Sequence, residues 1–256
     1  MNLLFTICAR AGSKGVKNKN IRNLNGYPLL YYTLSAYKLF KDKYKSEYCR
    51  IDLAINTDSK ELIEQFYKTK IVGECIPRKK ELAGDSVGKM DVIKDTLLEL
   101  EKTHNIQYDF VIDLDLTSPM RRIADIEGTL SRVFQDEYAD IAYSVTRARR
   151  SPYFNMVCKK ENGYFDKVLM SSYTSRQETP VCYDMNASIY AYRRDYLVNF
   201  ENKLERNALI WLMNDTGVLD IDSEADYELM QIIVEYIAKR DNEIQEIINN
   251  ISGLYS

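Results

Sequence analysis

Leu3-Leu4-Phe5-Thr6-Ile7-Cys8-Ala9 runs directly into Arg10-Ala11-Gly12-Ser13-Lys14-Gly15-Val16-Lys17-Asn18-Lys19-Asn20, and the reading of the fold turns on that join. A short apolar run that stops at a polar, glycine-containing stretch predicts a buried strand followed by a loop. From Ala9 to Asn20 the segment packs four cations and two glycines into twelve residues. In open α/β sheets ligands sit outside the carboxyl ends of the strands. Glycine lets backbone N–H groups approach an anion closely, and lysine and arginine neutralise it. The loop therefore reads as a cradle for a polyphosphate, with a solvated basic loop as the plain alternative. Neither G-x-x-x-x-G-K-[ST] nor G-x-G-x-x-G occurs in it, so it is neither a Walker loop nor a dinucleotide fingerprint.

Working outward, strands and helices alternate. Pro28 opens a helical pattern through Phe40, Arg50–Asn56 reads as a second strand, and Ser59 caps a helix reaching Lys70. Ile71–Pro77 reads as a third strand. A helix from about Gly88 to His104 and a central strand over Tyr108–Leu116 follow, then a helix over Ile123–Gln135 and a strand over Asp140–Thr146. This order predicts an α/β fold, a mainly parallel sheet with helices on both faces. The rhythm breaks over residues 147–180, which read as an inserted hairpin arm between the parts 1–146 and 181–256 of one main domain. Ala187–Tyr192 and Val218–Asp222 read as further strands, and Ser223-x-x-Asp226 as a capping box opening the C-terminal helix.

Length and composition fit this frame. The chain has 256 residues, 45% apolar and 29% charged, enough for a sizeable core. Its net charge of -3 supplies no general field for nucleic acid, so any phosphate chemistry must use a local basic cluster. The five scattered cysteines and single histidine, His104, do not suggest a zinc site or a disulfide framework. The cysteines read as reduced packing residues of a cytoplasmic protein. The first apolar run ends at Arg10, too short for a signal peptide or a membrane span. His104, at a helix end, reads as exposed or capping.

Two acidic clusters stand at strand ends. In Asp220-Ile221-Asp222 the carboxylates alternate, so both can point to one face, where like charges repel unless a cation neutralises them. Mg²⁺ takes oxygen ligands, commonly one or two carboxylates plus substrate phosphates. Asp220 and Asp222 are the expected metal ligands, with capping of the next helix as the other reading of Asp222. Asp113-Leu114-Asp115-Leu116-Thr117-Ser118-Pro119-Met120-Arg121 holds the second cluster, and whether Asp113 or Asp115 joins the metal is open.

The string Ala9-Arg10-x-Gly12-Ser13-Lys14-Gly15, then Lys-Asn and Asn25-Gly26-Tyr27-Pro28-Leu29-Leu30, resembles the N-terminal signature of CMP-sialic acid synthetases and their relatives, including legionaminic-type members. The resemblance continues through Arg78 to Asp85, Thr117-Ser118-Pro119, Arg176-Gln177-Glu178-Thr179-Pro180, Asn186 to Tyr190 and Asp220 to Asp222, nearly the full chain. It implies a Rossmann-like nucleotidyltransferase fold and a cytidylyltransferase that joins CTP to a nine-carbon 2-keto-3-deoxy sugar acid with Mg²⁺. Kdo-type acids and a non-catalytic nucleotide-sugar-binding protein are the alternatives. By the same resemblance Ala9, Arg10, Gly12, Ser13, Lys14, Asn20, Arg78 and Asp85 hold the nucleotide, and Arg10, Lys19 and Asp222 carry catalysis. Asp115, Thr117, Ser118, Arg176, Gln177 and Asn186 meet the sugar, and the arm makes a homodimer reaching the partner's site. Asp115 and Leu116 stand where sialic acid enzymes have Gln-Pro, which points to a different sugar.

Overall fold

A computed structural model describes residues 1–12, 16, 18–84, 87–199, 207–214 and 220–255. The expectations for Ser13, Lys14 and Asp85 lie outside these residues. β1 (Asn2–Cys8) is followed by a small hairpin, β2 (Asn23–Leu24) and β3 (Tyr27–Pro28), and by α1 (Leu29–Tyr44). Next come β4 (Arg50–Thr57), α2 (Lys60–Tyr67), β5 (Glu74–Pro77), α3 (Lys89–His104), β6 (Phe110–Leu114), α4 (Ile123–Gln135) and β7 (Ile141–Arg147). β8 (Val157–Lys159) and β9 (Phe165–Lys167) form a separate hairpin. The chain returns through β10 (Tyr183–Arg193), α5 (Arg194–Asn199), β11 (Ala208–Leu212), α6 (Glu224–Ala238) and α7 (Asn242–Ile251).

The seven-stranded sheet has the order β11-β7-β10-β6-β1-β4-β5. β1 lies parallel to β4 and β6, and β4 parallel to β5. Alternation along β1 divides the core. Leu3, Phe5 and Ile7 pack with Leu30, Leu34 and Tyr37 of α1 and with α4 and α7. Leu4 packs with Ile93, Leu97 and Leu100 of α3 on the opposite face, so helices cover both sides. Thr6 and Asp113 are register partners on the α3 face, which sets up the site below.

The sheet departs from the expected pattern in three places. β10 runs antiparallel between β6 and β7, because the chain re-enters from the arm at the carboxyl end of β7. The edge strand beyond β7 is β11, parallel to it; Ala208-Leu209-Ile210-Trp211-Leu212 is the apolar signal the alternation argument left unassigned. Val218–Asp222 is not the last strand in its described part: residues 220–222 are irregular, tied by the Ile221 N–H donating to the Thr117 carbonyl at 3.0 Å. The helix ends follow expectation more closely. Ser59 Oγ accepts from the Leu62 N–H, and Ser223 forms the capping box with Asp226. Ser223 therefore caps α6, not Asp222. Cys49 and Cys158 are exposed, unlike the packed cysteines expected.

β10 carries a register shift between Met185 and Tyr190, and inside it Ala187 sits at φ 52°. The left-handed region costs an L-residue roughly 1–2 kcal/mol. Glycine escapes that cost but loses more entropy on folding. Ala187→Gly is expected to stabilise the protein by roughly 0.5–1 kcal/mol, read from the urea midpoint at unchanged m-value.

Candidate active site

The carboxyl ends of β1, β5 and β6 open into a cleft of about 510 Å³. Its wall includes Ala9, Arg10, Lys19, Asn20 and Arg78 on one side and Asp115, Thr117, Asp220 and Asp222 on the other. The basic loop and the C-terminal acidic pair, two hundred residues apart in sequence, meet directly. Lys19 Nζ lies 3.2 Å from Asp222 Oδ1 and also donates to the Ile221 carbonyl.

Local geometry builds each cation into place. Asn18, in the left-handed region at φ 56°, turns the chain into a short 3-10 helix that carries Lys19 and Asn20. Asn20 Nδ2 donates to the Arg10 carbonyl at 2.9 Å, closing the loop onto the end of β1. Gly12 also has positive φ, 69°, and lies with Asn20 and Ser59 on a smaller neighbouring hollow. Arg78 leaves β5 and donates to Asn56 through Nε at 2.9 Å and Nη2 at 3.1 Å. Asn56 is itself fixed by donating to Thr96 of α3. Burial lowers the Arg78 guanidinium, which favours an anion beside it.

The acidic side is a hydrogen-bonded chain. Thr117 Oγ1 lies 2.8 Å from Asp115 Oδ1 and 2.6 Å from Asp220 Oδ1. One hydroxyl has one proton, so it donates to only one carboxylate at a time. Burial raises the Asp220 carboxyl; Thr117 opposes this, while Asp115 and Asp222 add to it. Burial also works against Asp115, yet Lys89 and then the Thr117 N–H hold its carboxyl well below the usual range.

Lys89, the first residue of α3, escaped the sequence reading. Its ammonium lies 2.7 Å from both Asp113 and Asp115, so the two acids share one cation. Lys89 stands at the start of the predicted Gly88–His104 helix, and no local pattern in the sequence marks it. Arg121, fully buried, is the second missed residue; it anchors the Thr-Ser-Pro turn.

The remaining expected sugar contacts, Ser118, Asn186, Arg176 and Gln177, do not line this chain's own cleft. Ser118 is buried under that turn. Asn186 accepts from Ser144 at 2.7 Å and donates to Met213 at 3.2 Å, within the β10 irregularity and outside the cleft wall. Arg176 and Gln177 form a short turn on the arm, exposed and away from this cleft; Arg176 donates to the Ala148 carbonyl. His104 is not exposed: it contacts Glu74, Arg50 Nη2 at 2.9 Å and Tyr108 Oη at 3.3 Å, far from the cleft wall. Among the described residues, no group of three or more His, Cys, Asp or Glu gathers to hold a metal, and no helix is long and apolar enough to cross a membrane.

A mostly parallel α/β sheet with a polar cleft at its strand ends, lined by cations facing paired acids, defines a nucleotidyltransferase. The fold agrees: the structure matches that of CMP:2-keto-3-deoxy-manno-octonic acid synthetase complexed with CTP at a TM-score of 0.64 and 19% identity, covering 93% of this chain and 100% of that one. Residues 4–240 match the cytidylyltransferase family model, and the chain belongs to that family. Among its relatives, the post-translational flagellin modification protein B of Campylobacter coli is 37% identical, over 94% of this chain and 96% of that protein. The CMP-N,N'-diacetyllegionaminic acid synthase of Campylobacter jejuni is 35% identical, over 91% and 94%.

Proposed function

We propose that this chain transfers the cytidylyl group of CTP to the anomeric hydroxyl of a nine-carbon 2-keto-3-deoxy sugar acid of the legionaminic or sialic type. The products are a CMP-sugar and pyrophosphate. The observation that carries the reading is the meeting of Arg10, Lys19, Asn20 and Arg78 with Asp220 and Asp222 around one cleft. The relative from Campylobacter jejuni favours the legionaminic branch.

The reaction is a displacement at phosphorus, so positioning and charge neutralisation supply most of its acceleration. Arg10, Lys19 and Arg78 neutralise the triphosphate, and whichever cation stands beside the α-phosphate stabilises charge as the five-coordinate state forms. Asp220 and Asp222 suit a hard divalent cation: both offer oxygen, and the Asp220 carboxyl is raised by burial with its acidic neighbours adding, a charge balance a cation reverses. They would hold Mg²⁺, which when bound neutralises phosphate charge and lowers the pKa of oxygens it contacts. Lys19, paired with Asp222, supplies positive charge at that carboxylate. Thr117 holds Asp220 toward the cleft.

Pyrophosphate release from CTP and Mg²⁺ with legionaminic, sialic, pseudaminic and Kdo acids tests the reading. The expected result is turnover with a nine-carbon acid; turnover with Kdo alone moves the enzyme to the eight-carbon branch, and none with any acid favours a binding protein. The arm exposes Met156, Val157, Phe165, Leu169 and Met170, an apolar surface suited to a second copy. In this reading Arg176 and Gln177 reach the partner's cleft. Sedimentation is expected to give twice the chain mass of 29.9 kDa, reduced to one chain by acidic substitutions at Phe165 and Met170.

A further inference from the structure

Lys89 is in an unfavourable place for a lysine. It opens a sixteen-residue helix, where the helix dipole disfavours a cation. Its surroundings account for it. Asp113 is fully buried at the end of β6, with Oδ1 accepting from Thr6 at 2.7 Å. Asp115 Oδ1 accepts the Thr117 N–H at 3.0 Å, with the Thr117 hydroxyl 2.8 Å away. Each acid is left with Oδ2, and both Oδ2 atoms lie 2.7 Å from the Lys89 nitrogen. Two carboxylates two residues apart thus converge on a single point, which holds an ammonium. Divalent ions take carboxylate oxygens at about 2.0–2.6 Å, so a small contraction around that point would suit one. The Lys89 side chain is 33% exposed and lines the cleft, so the point is reachable from the substrate side. The Tyr190 ring, with its centroid 5.4 Å from the nitrogen, adds a further preference for a cation there.

We propose that Lys89 is a resident cation that occupies a second divalent-metal position between Asp113 and Asp115, confining the exchangeable metal to Asp220 and Asp222. The confinement rests on the metal site proposed above; the occupied position rests on Lys89 and its two partners alone. Burial works against the ammonium, but Asp113 and Asp115 outweigh it and hold Lys89 protonated well above the ordinary range. The central acidic strand end therefore keeps a fixed charge without a second ion. The same ammonium cancels one of the two carboxylate charges, which lessens the repulsion between Asp115 and an anionic substrate. Lys89 is a positioning residue for the cleft.

Manganese binding, followed by electron paramagnetic resonance without nucleotide, tests this. Lys89→Met is expected to bind one Mn²⁺ more than wild type, and Lys89→Arg the wild-type number. The added ion is expected to vanish in Lys89→Met/Asp115→Asn and to persist in Lys89→Met/Asp222→Asn. This last variant separates the two ideas. If Asp222→Asn alone binds as wild type does, the site at Asp220 and Asp222 fails, while the added ion still supports the role of Lys89. Wild-type stoichiometry in Lys89→Met, or an added ion that survives Asp115→Asn, overturns the proposal. Should Lys89→Met fold poorly, Mn²⁺ is expected to raise its melting temperature more than that of wild type, and an equal response overturns the proposal too.

Discussion

Asp222→Asn is expected to reduce turnover by roughly 10²- to 10³-fold, the usual size for removing one preorganised electrostatic contact, while CTP still binds. The structure separates this outcome from a folding defect. The Asp222 side chain is 76% exposed, and its ion pair with Lys19 spans 3.2 Å. An exposed pair of this kind is worth about 0–1 kcal/mol, so stability should hardly move. Nor does the substitution unpick the start of α6, because Ser223 caps that helix and Asp226 closes the box. Asparagine keeps the shape and one oxygen but loses the charge. A fall in kcat with unchanged unfolding and retained CTP binding places Asp222 in the chemistry. Wild-type turnover would remove it, and lost CTP binding would make it a nucleotide contact.

The substitution also weighs Lys19. With Asp222 neutral, the Lys19 ammonium keeps the Ile221 carbonyl, so the basic loop should stay docked. A shift of Lys19 into the cleft would instead tighten CTP. Measuring CTP affinity alongside kcat therefore tells whether the pair sets the charge balance of the nucleotide side or only of the acidic side.

Much of this architecture was legible in the chain. Alternating apolar runs placed β1, β4, β6, β7 and the intervening helices, since burial on both faces of a central sheet leaves long apolar strands. The cation-rich loop and the Asp220/Asp222 pair were visible as local charge, and both lie on the cleft. What stayed hidden depends on contacts across the fold. Nothing local distinguishes Lys89 from any lysine opening a surface helix; its meaning lies in Asp113 and Asp115. At Gly128, inside α4, an added Cβ would run into the Trp211 ring of β11. The glycine makes room for β11, the strand that periodicity did not assign. Asp115 read as a sugar contact because its position was known and its neighbours were not. Its oxygens meet Lys89 and Thr117, contacts that only the fold brings together.

Arg121→Met is expected to be the most destabilising single change at the site, costing roughly 2–4 kcal/mol, the scale for buried acceptors deprived of their donor. Arg121 is fully buried, yet among the described residues its hydrogen bonds go to hydroxyls and carbonyls, not to a carboxylate. Nε donates to Ser188 Oγ at 3.1 Å, Nη1 reaches Thr33 Oγ1 of α1 at 3.4 Å, and Nη2 donates to the carbonyls of Asp115 and Ser118. Burial pushes the guanidinium down to about 10, with Asp115, Asp113 and Asp125 opposing, so it stays charged at neutral pH. Methionine fills comparable space but removes the Arg121 donor from both carbonyls, leaving Ser118 only the Ser188 hydroxyl at 3.4 Å; an unsatisfied buried acceptor costs about 1–3 kcal/mol. Against a typical total stability of about 5–15 kcal/mol, that brings the fold near its limit. Arg121→Lys keeps the charge but lacks the planar fork, so it should lie between the two. The loss also reaches the chemistry. Arg121 ties the Thr-Ser-Pro turn to the β10 irregularity through Ser188, whose carbonyl accepts the Asp115 N–H at 3.1 Å. Releasing that tie frees Thr117, and with it the hold on Asp220. Urea unfolding of the methionine and lysine variants, with kcat measured on the folded fraction, checks both halves. A methionine variant within about 1 kcal/mol of wild type, the ordinary scatter of a surface change, would mean that the turn finds its donors elsewhere.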